Sequence, residues 1–181
     1  GNLLRDVKAP LGKYAVTGNH EFYAGLDRSL EFMKQAGFHV LRGEATSVAG
    51  LITIAGVDDP VVIGSGGSRE VPEKELLSGL PRDKFTLFLK HRPDADKSAV
   101  GLFDLQLSGH AHKGQIFPFT LIVRFVFPQI AGLYDLSSGS LLYVSRGSGT
   151  WGPPIRFLAP PEVTILDLLP EKSAQAVPPK R

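Results

Sequence analysis

The sequence predicts a single α/β or β-rich domain. Three observations carry that reading. A chain of 181 residues with 43% hydrophobic content can bury one sizeable core. Short apolar runs of strand length alternate with segments of helical period. Several of those apolar runs end in a Gly-led or polar loop that carries a histidine.

Taken in order, residues 13–17 (KYAVT) read as a buried strand ending at Gly18. Leu26, Leu30 and Met33 then recur at helical spacing across "AGLDRSLEFMKQAGF", with Gly37 as the stop signal. Short strands follow at 38–42, 46–49 and 51–56, and a GSGGS loop at 64–68. A helix is predicted at 72–79, Pro72 being suited to its first turn. "FTLFLKH" (85–91) is an apolar strand that delivers His91 at its end. "DADKSAVGLF" predicts a short helix capped by Asp94. "DLQLSGHAH" is another strand running into a Gly-led loop, followed by a hairpin (133–136 with 140–146) and an edge strand, EVTILDL (162–168). Residues 1–169 form one unit, and the polar, Pro-rich terminal segment 170–181 is predicted disordered.

Composition excludes several classes. The net charge is +2, from 20 basic and 18 acidic residues, and no basic block precedes the terminus, so no nucleic-acid partner is expected. The absence of Cys removes disulfides, zinc–thiolate sites and thiol catalysis. No stretch reaches the roughly 18 continuous apolar residues of a spanning helix.

The chemistry lies in the histidines. Of the five, His20, His91, His110 and His112 sit where an apolar strand gives way to a loop, and only His39 falls inside a strand pattern, where it reads as structural. In an open α/β sheet, ligands bind in the crevice outside the carboxyl ends of the strands. Strand ends carrying Asn19–His20, His91 and His110–Ala111–His112 can converge there. An extended backbone would put His110 and His112 on one face. A lone strand-end His is ordinarily a surface residue, and Gly-Asn an ordinary turn. Four of five histidines in such contexts favour a metal site, whose imidazole and amide donors suit Mn, Fe, Zn or Ni.

"GNHE" at 18–21, the isolated His91 after an apolar strand, and "GHAH" at 109–112 resemble, in order and separation, the last three motifs of the calcineurin-like metallophosphoesterase superfamily. "HKGQIFPF" and "YVSRGSGTWGPPIRFLAPPEVTILDL" are similar to its bacterial phosphodiesterase branch, many of whose members carry an N-terminal membrane anchor. The resemblance, over residues 10–168, implies a metallophosphoesterase-type β-sandwich flanked by helices. It implies Asn19, His91 and His110 as ligands of one metal and His112 as a ligand of a second. His20 then matches the catalytic histidine that stabilises charge on the phosphoryl group.

The family's Asp-x-His and Gly-Asp-x-x-Asp motifs are absent from this chain. The chain begins with Gly rather than Met, and the expectation is the C-terminal portion of a longer protein, missing its N-terminal strands. Two divalent transition metal ions are expected in the full-length protein, and at most one, weakly bound, in this portion. Without the bridging carboxylate, two nearby cations repel with little to offset it. The partners expected are a phosphoester substrate (a phosphodiester or lipid-linked pyrophosphate) and an oligomer through the exposed sheet edge. Either function class stays open at this point: a metal-dependent phosphoesterase, or a non-catalytic metal-binding or interaction domain.

Glu21 reads as loop support or a solvated carboxylate, Asp58–Asp59 as turn chemistry, and Arg146 as a structural salt bridge. Trp151 stands in a Gly-rich stretch bordering the cleft. The apolar segment 116–134 is interrupted by Pro118, Arg124 and Pro128. Either it rims the site with a greasy surface suited to a lipid-like phosphoester or a membrane surface, or it packs under the sheet or against another subunit.

Overall fold

The computed structural model describes residues 2–61 and 71–170. The GSGGS loop and all but the first residue of the terminal segment lie outside the described residues. Among the described residues, eight strands form two sheets. β1 (Lys13–Ala15) and β2 (Phe38–Val40) make a parallel pair. The larger sheet runs β3 (Glu44–Val48), β4 (Ile52–Gly56), β5 (Phe85–Leu89), β6 (Leu105–Ser108), β8 (Leu141–Val144), β7 (Gly132–Asp135). Its centre is parallel, β4–β5–β6–β8, and each edge is closed by an antiparallel partner.

Strand alternation sorts the core into two layers. Ile54 of β4 and Leu87 of β5 are register partners, as are Ala55 and Phe88, so the two pairs face opposite ways. Ile52, Ile54, Leu87 and Leu89 pack with Leu41 and with Tyr14 and Val16 from the β1 strand and its exit, which joins the sheets face to face. Ala55 and Phe88 pack on the other side with Leu76 and Leu77 of α4 (Glu73–Ser78) and with Ala99 and Phe103. The result is a two-sheet α/β sandwich with helices outside it. α3 (Leu26–Gln35) half-buries Leu26, Leu30 and Met33, the stripe legible in the sequence.

Three helices occupy segments where no helix was predicted: α1 (Asn2–Asp6), α2 (Asn19–Tyr23) and α5 (Phe119–Val126). None of the helices among the described residues is long and apolar enough to cross a membrane.

Two expected elements do not form. Residues 94–103 are turns rather than a helix. Asp96 accepts from the Ser98 backbone N–H at 2.8 Å and from its hydroxyl at 2.9 Å, a local alternative that competes with helical bonding. Asp94 caps nothing; its carboxylate and carbonyl accept from Lys90 Nζ at 3.1 and 2.7 Å. Residues 162–168 are not a strand. Glu162 and Thr164 bond the Tyr143 hydroxyl of β8, but β8 is already paired on both sides, by β6 and β7, and offers no free ladder.

Phe88 has no exposed surface and centres the layer under α4. Replacing Phe88 with Ala should cost about 3–5 kcal/mol of unfolding free energy in denaturant titration; a loss below about 1 kcal/mol would mean that this layer does not carry the fold.

Candidate metal centre

The parallel register of β5 and β6 sets Leu89 beside Leu107, so the two strands leave the sheet side by side. Their exits stay paired: Lys90 N–H donates to Leu107 O at 3.1 Å, and Gly109 N–H to His91 O at 2.9 Å. His91 and His110 therefore emerge on neighbouring strand ends. Their rings meet edge to face, with centroids 4.8 Å apart. The β1 exit supplies the third group. Gly18 continues in extended backbone and α2 begins at Asn19. Glu21 Oε2 accepts from Gly18 N–H at 2.7 Å, tying the helix start to the strand exit.

Three donor atoms meet there. His91 Nε2 lies 3.1 Å from Asn19 Oδ1 and 3.0 Å from His110 Nδ1. Nε2 can make one of these two hydrogen bonds well, so one polar contact is left over. Ligand atoms about 2.1 Å from one cation and at right angles to each other stand about 3 Å apart, and a cation would use all three lone pairs together. The donor set, two imidazoles and an amide oxygen, is chemically apt for a divalent transition metal. Among the described residues, no group of three or more His, Cys, Asp or Glu side chains is gathered for a metal ion. The convergent set has two such residues, and Asn19 is the third donor.

One open pocket is lined by Asn19, His20, His91, His110, Ala111, His112, Val123, Phe127 and Trp151. His20 is exposed at its rim, its ring edge-on to Tyr23. His112 lines the same pocket but is held differently. Its Nδ1 accepts from Arg156 Nη2 at 3.0 Å, while Arg156 also donates to the carbonyls of Arg146 (2.9 Å) and Gly147 (3.0 Å). No hydrogen bond joins His112 to the other three donors among the described residues.

The His pair is presented by left-handed backbone, not by strand alternation. His110, His112, Lys113, Gly114 and Gln115 all have positive φ, from 47° to 76°, conformations that non-Gly residues hold only where surroundings impose them.

Burial keeps these imidazoles neutral. Burial first, and the neighbouring His110 second, push the His91 pKa down to about 4. Burial also lowers His110, helped by Arg92, and lowers His112, helped by Arg156. Near neutral pH their nitrogens carry lone pairs rather than a second proton.

The supports under the site went unrecognised in the sequence. Asp59 is 1% exposed and takes both bonds of the Arg92 guanidinium, each at 2.9 Å. Burial raises its pKa, but Arg92 and the Val61 N–H outweigh that and hold it below the usual range. Asp58 receives Arg42 (2.8–3.0 Å) and Thr17 Oγ1 (2.7 Å). Asp58 and Asp59 are thus ion-paired anchors, not simple turn residues. Arg156 had no signal beyond lying in a Gly/Pro-rich stretch. Arg146 does form a salt bridge, with Glu162.

Sequence comparison agrees with the motif spacing. An uncharacterized metallophosphoesterase of Aquifex aeolicus is 43% identical over 168 residues, 92% of this chain and 64% of the relative. One of Helicobacter pylori is 37% identical over 174 residues, 94% of this chain and 46% of the relative. A zebrafish (Danio rerio) transmembrane protein with metallophosphoesterase domain is 32% identical over 178 residues, 91% of this chain and 40% of the relative. These relatives carry metallophosphoesterase names, and the likeness to them runs over more than nine-tenths of this chain, in line with the calcineurin-like resemblance of its motifs. It spans roughly half of the length of these relatives. No family model and no solved structure matches it.

Two measurements check the geometry. A Cβ on Gly18 would lie 2.8–2.9 Å from the His91 ring, too close without a shift. Gly18→Ala should therefore displace the His91 imidazole resonances in NMR spectra, whereas Gly149→Ala, with open space at that point, should leave them in place. The second concerns Glu162. Its burial raises the carboxyl pKa, but hydrogen bonds from Tyr143, Thr164 and Arg146 prevail and hold it at about 2. A depressed folded-state pKa gives stability that is present above the ordinary value of 4.5 and fades as pH falls toward 2. The stability gap between the native chain and Glu162→Gln should close over that window. A gap that persists unchanged to pH 2 would refute the assignment.

Proposed function

We propose that this chain supplies one side of a metal-dependent phosphoester hydrolase site. The observation that supports it most is the convergence of Asn19 Oδ1 and His110 Nδ1 on His91 Nε2. Those three residues hold one divalent metal, and His112 belongs to a second. A bound metal of this kind polarises a phosphoryl oxygen and lowers the pKa of its water. His20, at the pocket rim, donates to the phosphoryl oxygens or to the departing oxygen. Val123, Phe127 and Trp151 give the pocket an apolar wall that limits water and accepts an apolar substituent.

The substrate class we assign is a phosphodiester or a lipid-linked pyrophosphate. The apolar wall favours the lipid-linked form. The zebrafish relative's name, a transmembrane protein, fits a substrate presented at a membrane.

In the full-length protein two metals complete the site. In this chain the pocket lining includes no carboxylate, and two cations placed there would repel. The chain alone therefore binds at most one metal, weakly, and hydrolyses slowly. The free edge of the β1–β2 pair is where upstream strands, or another copy, would add.

A second reading, metal binding or protein interaction without hydrolysis, draws on the Arg156 bond that occupies His112 Nδ1.

Manganese titration followed by metal analysis, with bis-p-nitrophenyl phosphate turnover in parallel, tests both. His91→Ala should weaken metal binding by more than about tenfold. His20→Ala should keep the metal and lose the residual turnover. Two tightly held metals with brisk turnover by this chain would refute the single-metal account, and unchanged binding in His91→Ala would remove the site.

A further inference from the structure

α5 is an inverted surface helix. Helices on protein surfaces turn polar residues to water. Here the water-facing side carries Phe119, Leu121, Ile122, Phe125 and Val126, with Phe125 91% exposed. The inward side is narrow: Thr120 donates to Lys113 O at 3.1 Å, while Val123 and Phe127 border the histidine pocket.

A second exposed segment is joined to it. Phe117 N–H donates to Phe157 O at 3.2 Å and Phe157 N–H to Gln115 O at 2.9 Å, a parallel bridge that sets Ile116 opposite Phe157 and ties the two segments together. Gln115, fully buried, clamps the Trp151 backbone from both sides: its Oε1 accepts from Trp151 N–H and its Nε2 donates to Trp151 O, each at 2.7 Å. Ile155 and Leu158 are more than half exposed beside them. Joined by that bridge, the two segments form an apolar rim that reaches the pocket lining through Val123 on one and Trp151 on the other.

The charge pattern selects the occupant. No acidic residue occurs between Asp104 and Asp135, or between Asp135 and Glu162. The bases of the two rim segments are Lys113, Arg124, Arg146 and Arg156. Arg146 is paired with Glu162, and Arg156 is bound to backbone carbonyls and His112. Lys113 and Arg124 have no ion-pair partner among the described residues. A second copy packed on this face would set those cations against their own images. An anionic bilayer satisfies both features: headgroups pair with the bases while the apolar side chains enter the interface.

We propose that α5 and the 151–158 segment dock on an anionic membrane, with the histidine pocket opening at the lipid surface. Docking rests on exposure and charge alone. That a lipid phosphoester is then cleaved rests on the function proposed above.

Co-sedimentation with phosphatidylcholine vesicles, with and without phosphatidylglycerol, tests the proposal. The chain should bind the phosphatidylglycerol vesicles, less so as salt rises, and its single Trp, Trp151, should shift to bluer emission. The double variant Ile122→Glu/Phe125→Glu should lose about tenfold or more in affinity while keeping its native circular dichroism, since both side chains face water. Arg124→Gln should weaken binding to the anionic vesicles alone. His91→Ala should bind vesicles as the native chain does, which separates failure of docking from failure of the metal site. Equal binding by the double variant, or no binding by the native chain, would overturn the proposal. So would concentration-dependent self-association lost in the double variant, which would assign the face to a second copy.

Discussion

The site depends on a buried ion pair. Asp59 and Arg92 meet through two hydrogen bonds at 2.9 Å, with the carboxylate shut away from water. Asp59 stands at the exit of β4 and Arg92 directly after His91 at the exit of β5. Asp59 N–H also donates to Thr17 Oγ1 at 3.3 Å, and Thr17 donates to Asp58. Ser108 at the end of β6 donates to Arg92 O at 3.1 Å. Four strand exits are thereby fixed to one another by groups that cannot be left unpaired cheaply in a buried setting. A pocket assembled from separate loops needs that kind of cross-bracing to hold donor atoms within a few tenths of an ångström.

Bracing and burial act together on the histidines. Packing His91 against His110, and His110 against Phe127 at 5.1 Å, removes water from the rings and disfavours the imidazolium form. The same packing brings lone pairs to within 3 Å of one another. These are the two properties a transition-metal donor set requires: basic nitrogens free of protons, and convergence before the cation arrives. His112 shows the contrast. It lines the pocket, yet its Nδ1 is committed to Arg156, which also organises the loop carbonyls at 146 and 147.

The outward apolar face of α5 and the inward polar floor of the pocket are two consequences of one turn. The left-handed run from His112 to Gln115 reverses the chain after the His pair and launches the segment 116–127 across the pocket mouth. A Cβ on Gly114 would approach the Thr120 backbone at 2.4–2.6 Å, so the return is tight enough to require glycine there. Chemistry and apolar rim are adjacent because only a few residues separate them.

Local pattern was enough to read most strands and the helix at 26–35, and the motifs pointed to Asn19, His20, His91, His110 and His112, which line one pocket. Strand alternation and helical period are properties of adjacent residues, so a linear chain displays them. Other features needed the tertiary structure. Asp58 and Asp59 look like turn residues until Arg42 and Arg92 are brought to them from 16 and 33 positions away. Residues 162–168 carry a strand pattern, but whether a strand forms depends on a free edge, and β8 has none. Arg156 reaches His112 across 44 positions. Which side of α5 faces water was likewise decided by long-range packing, because composition gives the grease but not its direction.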